Sequence, residues 1–233
     1  MKIVLLPGLD GTGVMFKPFI DVLPKDIEPL VISYPNDKRL GYEELIEYVL
    51  TRLPDNDDYI LIGESFSGPV AYQLALRKPE NLRAVIFVAS FLSRPAKTVL
   101  DLLRFVPIAF LLSIPIPTFA VKLLLPGTNA SEQLIGLFKH TLDKVPARTL
   151  AFRLREVARL PGSHHHCMIR AVYIQPTNDS LVPPECVEEF SKAMGNLTIY
   201  QVNGPHFILQ ANPSACAEII CNEARLAETG ATK

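Results

Sequence analysis

The sequence predicts an α/β fold: a predominantly parallel sheet of about six strands flanked by helices, with a helical insertion after the fourth strand. Short apolar, β-branched runs alternate with stretches of helical period, the pattern of a parallel sheet covered on both faces. One helical stretch carries a clean stripe, Leu45, Ile46, Val49, Leu50 and Leu53, at three- and four-residue spacings. The alternation then fails between Phe91 and Cys167, an interval with four prolines from Pro107 to Pro126 and no convincing strand.

In chain order, strands are expected at Lys2–Leu6, Pro29–Ser33, Tyr59–Gly63, Arg83–Ala89, Ala171–Gln175 and Thr198–Val202. Helices are expected at Val14–Leu23, Tyr42–Leu53, Gly68–Arg77, Pro184–Met194 and Ser214–Leu226, with Pro183 and Pro184 where a first turn tolerates proline. The core is therefore assigned to 1–90 and 168–233, and the helical cap to 91–167. A chain of 233 residues suffices for one domain carrying such an insertion.

Composition narrows the function. A net charge of −1 gives no reason to expect nucleic acid as a general partner. The four cysteines have no metal-ligand spacing and read as reduced packing residues. Only four apolar residues separate Lys2 from Pro7, too few for a signal-peptide core. The uncharged run Phe105–Val121 barely reaches spanning length and is broken by three prolines, so it reads as buried or interfacial. A cytoplasmic location is expected.

The chemistry gathers at Gly63-Glu64-Ser65-Phe66-Ser67-Gly68, between a strand and a helix. The pattern G-x-S-x-G marks a strained turn that lifts a nucleophilic serine above a sheet. Here Ser67 stands at the second glycine position, small enough to keep the turn. Plain strand-to-helix punctuation is the competing reading. A serine needs a base and an orienting acid. Of five histidines, only His206 follows the last strand, at the carboxyl edge where such sheets place ligand chemistry. Asp179 follows the preceding strand at the same edge, though a turn or cap role would also suit it. The loop Leu6–Gly13 could aim backbone N–H groups at a developing oxyanion. Its glycines do not fit a dinucleotide fingerprint, and no lysine follows as in a P-loop. Glu64 and Asp10 are expected at the pocket rim. The triplet His164-His165-His166 offers diverging side chains with no partner ligand, so no metal is expected, and no cofactor.

Taken together, the Pro7-Gly8-Leu9 loop, the Gly63–Gly68 turn, Asp179 before Val182-Pro183, and Gly204-Pro205-His206 resemble the α/β-hydrolase superfamily, in its cap-bearing esterase and thioesterase form. The resemblance spans nearly the whole chain. It implies Ser65 as nucleophile, His206 as base and then acid, and Asp179 as orienter. It also implies an oxyanion hole from the backbone N–H groups of Leu9 and Phe66. Pro7 replaces a histidine frequent in the family, and the family's usual first strands are missing, so a short sheet is expected.

The same resemblance puts the inserted segment over the site, where its leucines would make an apolar pocket suited to an acyl chain or a membrane surface. At 100° per residue, Arg148, Arg155 and Arg159 fall within about 40° of one another on a helix, opposite Leu150, Leu154 and Val157. They form either a solvated basic face or an anion-reading lid for an acidic carrier protein or an anionic lipid. The expected activity is hydrolysis of a carboxylic ester or thioester with an apolar acyl part. Acyl transfer, cleavage of carrier-linked acyl esters, membrane-associated lipase action and a non-catalytic binding role are the alternatives.

Overall fold

The computed structural model describes residues 1–95, 132–162 and 165–229. Six strands form one sheet: β1 (Lys2–Leu6), β2 (Pro29–Val31), β3 (Tyr59–Glu64), β4 (Leu82–Val88), β5 (Cys167–Asn178) and β6 (Met194–Pro205). Their order is β2-β1-β3-β4-β5-β6, and all five pairings are parallel. Parallel neighbours need crossovers, and helices supply them on both faces. Alternation along each strand divides the core accordingly. Val4, Leu6, Leu61 and Phe87 pack on one face against α2 (Tyr42–Leu50), α3 (Gly68–Arg77) and α6 (Cys186–Ala193). Ile3, Leu5, Ile60 and Ile62 pack on the other against α1 (Lys17–Ile20) and α8 (Pro213–Thr229). Every residue of β3 is buried, as expected for a strand covered on both sides.

The interval between β4 and β5 is helical where described, with α4 (Glu132–Asp143) and α5 (Ala147–Ala158). The apolar run Phe105–Val121 lies outside the described residues. Among the described residues no helix is long and apolar enough to cross a membrane.

Several boundaries differ from the sequence expectation, for local reasons. β2 stops at Val31 because it is an edge strand paired to β1 alone. The helix expected over Val14–Leu23 is a 3₁₀ turn, Val14–Phe16, followed by α1 of four residues. β5 and β6 each run to twelve residues, extending past the last β4 partner at Ile174 by pairing only with each other. That extension contains Pro176, Thr177 and Asn178, which carry no apolar alternation, and a register shift between Pro176 and Asn178. Proline is tolerated there because β4 has already ended. After His206 a short helix, α7 (Ile208–Ala211), precedes α8.

One buried ion pair fastens α8 to the far half of the sheet. Glu223, 1% exposed, accepts from Arg170 Nε at 3.0 Å and Nη2 at 2.7 Å, and from the Tyr200 hydroxyl at 2.7 Å. Removing one partner of such a pair strands the other charge in a low-dielectric site. Glu223→Ala is expected to lower unfolding free energy by about 3–5 kcal/mol in urea denaturation, leaving the specific activity of the folded fraction unchanged.

Candidate active site

β3 ends at Glu64, and Ser65 begins a 3₁₀ turn that runs straight into α3. Ser65 has φ 47°, in the left-handed region that non-glycine residues seldom occupy. The turn is held open by small neighbours. A Cβ on Gly63 would meet the Ser67 carbonyl oxygen at 2.8 Å and Ala71 Cβ at 2.9 Å, and one on Gly68 would meet Ser90 Oγ at 1.8 Å. Both glycines are thus required by contact with the strand-helix junction.

Ser67, at the position where glycine is usual, is fully buried and its hydroxyl has a purpose. It donates to the Pro7 carbonyl and accepts from the Tyr34 hydroxyl at 2.5 Å, tying the loop after β1 to the turn. Ser90 secures the other side by donating to the Ser65 carbonyl at 2.6 Å. Tyr173 fixes Ser90 in turn, accepting from its N–H at 3.0 Å and donating to its carbonyl at 2.7 Å.

The three candidates meet at the carboxyl edge. Ser65 Oγ lies 2.9 Å from His206 Nε2, and His206 Nδ1 lies 2.8 Å from Asp179 Oδ2 and 3.1 Å from Oδ1. Asp179 is oriented by the N–H groups of Leu181 and Val182, both donating to Oδ1 at 2.9 Å. The His206 and Asp179 side chains are almost wholly buried. A cavity of about 400 Å³ opens over Ser65, within the size range of ligand sites. Its walls include Gly8, Leu9 and Phe66 from the core and Phe138, Leu150 and Leu154 from the inserted helices. The Leu9 N–H has no intramolecular acceptor among the described residues, and Phe66 lies in a first helical turn, where amides lack intrahelical partners. Burial pushes the thiols of Cys186 and Cys216 up to about 11 and about 12, so neither competes as a thiolate nucleophile.

The basic trio lies elsewhere. Arg148 and Arg155 are exposed on α5, and Arg159, exposed just past its end, has its Nη1 3.4 Å from Glu156 Oε1. Leu150, Leu154 and Val157 turn to the cavity as the helical wheel requires. The sequence reading passed over Arg153, which is 2% exposed. On the same wheel it falls about 40° from Val157, on the apolar face, and a charge there signals a buried partner. Its guanidinium donates to the carbonyls of Leu9 at 3.0 Å, Asp10 at 2.7 Å and Pro35 at 3.2 Å, and to Asn36 Oδ1 at 3.1 Å.

Glu64 is among the residues lining the cavity, and it is more deeply buried than a rim residue, 5% exposed. Its Oε1 accepts from Gln210 Nε2 at 3.0 Å. Burial pushes its carboxyl up to about 7, with the Gln210 hydrogen bond opposing and Asp10 adding to the rise. Asp10 is locked to Thr12, accepting from its N–H at 2.8 Å and its hydroxyl at 2.5 Å.

A raised carboxyl means that the folded state holds its proton more tightly than the unfolded state. The contribution of Glu64 to native stability is full at low pH and is lost as pH rises from about 4.5 towards about 7. The full loss is roughly 3 kcal/mol at 1.36 kcal/mol per unit. Glu64→Gln keeps the acceptor for Gln210 and removes the charge. The difference in unfolding free energy between variant and wild type is expected to grow in the variant's favour across that pH window. A difference independent of pH would show that Glu64 titrates normally.

Residues 3–219 match the model of the alpha/beta hydrolase family. No curated protein matches the chain in sequence. Among solved structures, a thermophilic esterase from Thermogutta terrifontis superposes with TM-score 0.79 at 15% identity, over 97% of this chain and 90% of its own. A lipase-esterase related protein from Clostridium acetobutylicum gives 0.75 at 17%, over 95% and 93%. The RedJ thioesterase of prodiginine biosynthesis in Streptomyces coelicolor gives 0.69 at 20%, over 96% and 84%. At these identities the structural likeness is one of fold. The family match over nearly the whole length decides the assignment: the chain belongs to the alpha/beta hydrolase family.

Proposed function

We propose that this chain is a serine hydrolase cleaving carboxylic esters or thioesters with an apolar acyl part. The reading is carried by the unbroken contact from Ser65 Oγ through His206 to Asp179, at 2.9 and 2.8 Å. With the imidazole proton on Nδ1 and directed at Asp179, Nε2 is free to accept from the Ser65 hydroxyl. As Oγ attacks the carbonyl carbon, its proton passes to Nε2, and Asp179 stabilises the imidazolium. The carbonyl oxygen becomes an oxyanion facing the N–H groups of Leu9 and Phe66. His206 then returns the proton to the departing alcohol or thiol oxygen or sulfur, leaving an acyl-Ser65. Water, deprotonated by the same Nε2, releases the acid and restores the hydroxyl.

An apolar acyl part is supported by the cavity walls, where Met15, Phe91, Phe138, Leu142, Leu150 and Leu154 surround the space beyond Ser65. Structures that share the fold carry the words esterase and thioesterase in their names, in keeping with an acyl substrate.

p-Nitrophenyl esters of rising chain length test the reading. Each buried methylene is worth about 0.8 kcal/mol, so kcat/KM should climb about fourfold per carbon until the cavity is full. Ser65→Ala should lose turnover by 10⁴-fold or more, on the order seen for removal of a triad nucleophile. Intact mass should show one fluorophosphonate adduct on wild type and none on the variant. Equal hydrolysis by both proteins, with no adduct, would leave a folded container without this chemistry.

A further inference from the structure

The geometry points to Arg153 as the positioning residue of the oxyanion hole, a clamp by which the inserted helix α5 aims the Leu9 amide. This inference rests on the hydrolase reading and names a residue outside the triad. The peptide between Gly8 and Leu9 is fixed because the Gly8 carbonyl accepts from the Gly11 N–H at 3.0 Å. In a trans peptide the Leu9 N–H then points the opposite way. The next two peptides are fixed by Arg153, whose Nη1 binds the carbonyls of Leu9 and Asp10 together. Three successive peptide planes are thereby held; the amides of Leu9 and Asp10 have no acceptor among the described residues, and both residues line the cavity beside Ser65.

Two further contacts make the clamp specific. Gly11 has φ 70°, and a Cβ there would meet Arg153 Nη1 at 2.4 Å, so the loop is shaped to receive a guanidinium. One turn earlier on α5, the Thr149 hydroxyl donates to the Asn36 carbonyl at 2.9 Å, beside the Asn36 amide that Arg153 also holds. Arg153 further sits over the Tyr34 ring at 5.8 Å, and the Tyr34 hydroxyl donates to Ser67 in the turn that carries Phe66. Through Tyr34 the same side chain is linked to the turn that carries Phe66. A buried cation held by four neutral acceptors, with the Asp10 carboxylate near enough to favour its charge, cannot leave without stranding carbonyls, so the helix and the loop are held in one arrangement. Lysine keeps the charge and the stem but loses the planar fork that binds several carbonyls at once.

Arg153→Lys is the primary variant and Gly11→Ala the loop-side one, assayed with a butyryl ester beside wild type and Ser65→Ala. An oxyanion donor is worth about 10²–10³ in kcat. A misaimed Leu9 amide should therefore lower kcat by about 10-fold or more in Arg153→Lys while KM stays within about twofold. Binding of an alkyl boronic acid, which forms the tetrahedral adduct on Ser65, should weaken by the same factor. Gly11→Ala should show the same split, and the double variant should lose less than the product of the two. Either variant, once shown folded by circular dichroism, overturns the clamp if its kcat and boronate affinity match wild type, or if only KM moves. If wild type itself lacks Ser65-dependent turnover, the hydrolase reading fails and the clamp fails with it. Turnover in wild type with an unaffected Arg153→Lys sinks the clamp alone.

Discussion

The turn at Ser65 is the constraint from which the site follows. A strand buried on both faces must become a helix within a few residues, and the chain does so through a left-handed serine. That conformation costs on the order of 1–3 kcal/mol and survives only when its surroundings over-determine it. They do: Gly63 and Gly68 permit the close approach, Ser90 holds the Ser65 carbonyl, and Ser67 binds the Pro7 carbonyl across to β1. The hydroxyl is left standing above the sheet edge, where the loops after β5 and β6 also arrive.

Around that turn the charges are arranged by burial. Asp179 is held by an imidazole and two backbone N–H donors. Glu64, one residue before Ser65, is buried with the Gln210 amide as its hydrogen-bond donor, and burial pushes it towards its neutral form. Of the two carboxyls close to Ser65, only Asp179 is aligned with the imidazole.

Much of this was legible in the sequence because it is local or periodic. The six runs of β-branched residues, the Leu45–Val49 stripe and the small residues flanking Ser65 each follow from short-range rules. The order serine, acid, histidine along the chain pointed to Asp179 and His206 at the correct edge. What the sequence hid depends on contacts between distant segments. The lengths of β5 and β6 come from pairing with each other beyond β4, which Thr177 and Asn203 do not announce. Ser67 looked like a substitute for glycine, whereas its hydroxyl is a tie between Pro7 and Tyr34. Arg153 looked like one basic residue among several in α5, although its place beside Val157 on the apolar face was a readable anomaly. The depth at which Glu64 is buried could not be read without knowing that it accepts a hydrogen bond from Gln210.

The paired extension of β5 and β6 gives Asp179 and His206 a common mount. Beyond Ile174 these two strands bond only to one another, and Asp179 and His206 ride on their ends, while Ser65 belongs to β3, with β4 between. Warming or mild denaturant that loosens this overhang would swing the carboxylate and imidazole as a unit. The contact between Ser65 and His206 is then the weak joint, and heat should silence such a molecule while its imidazole still leans on the carboxylate and the sheet beneath remains intact.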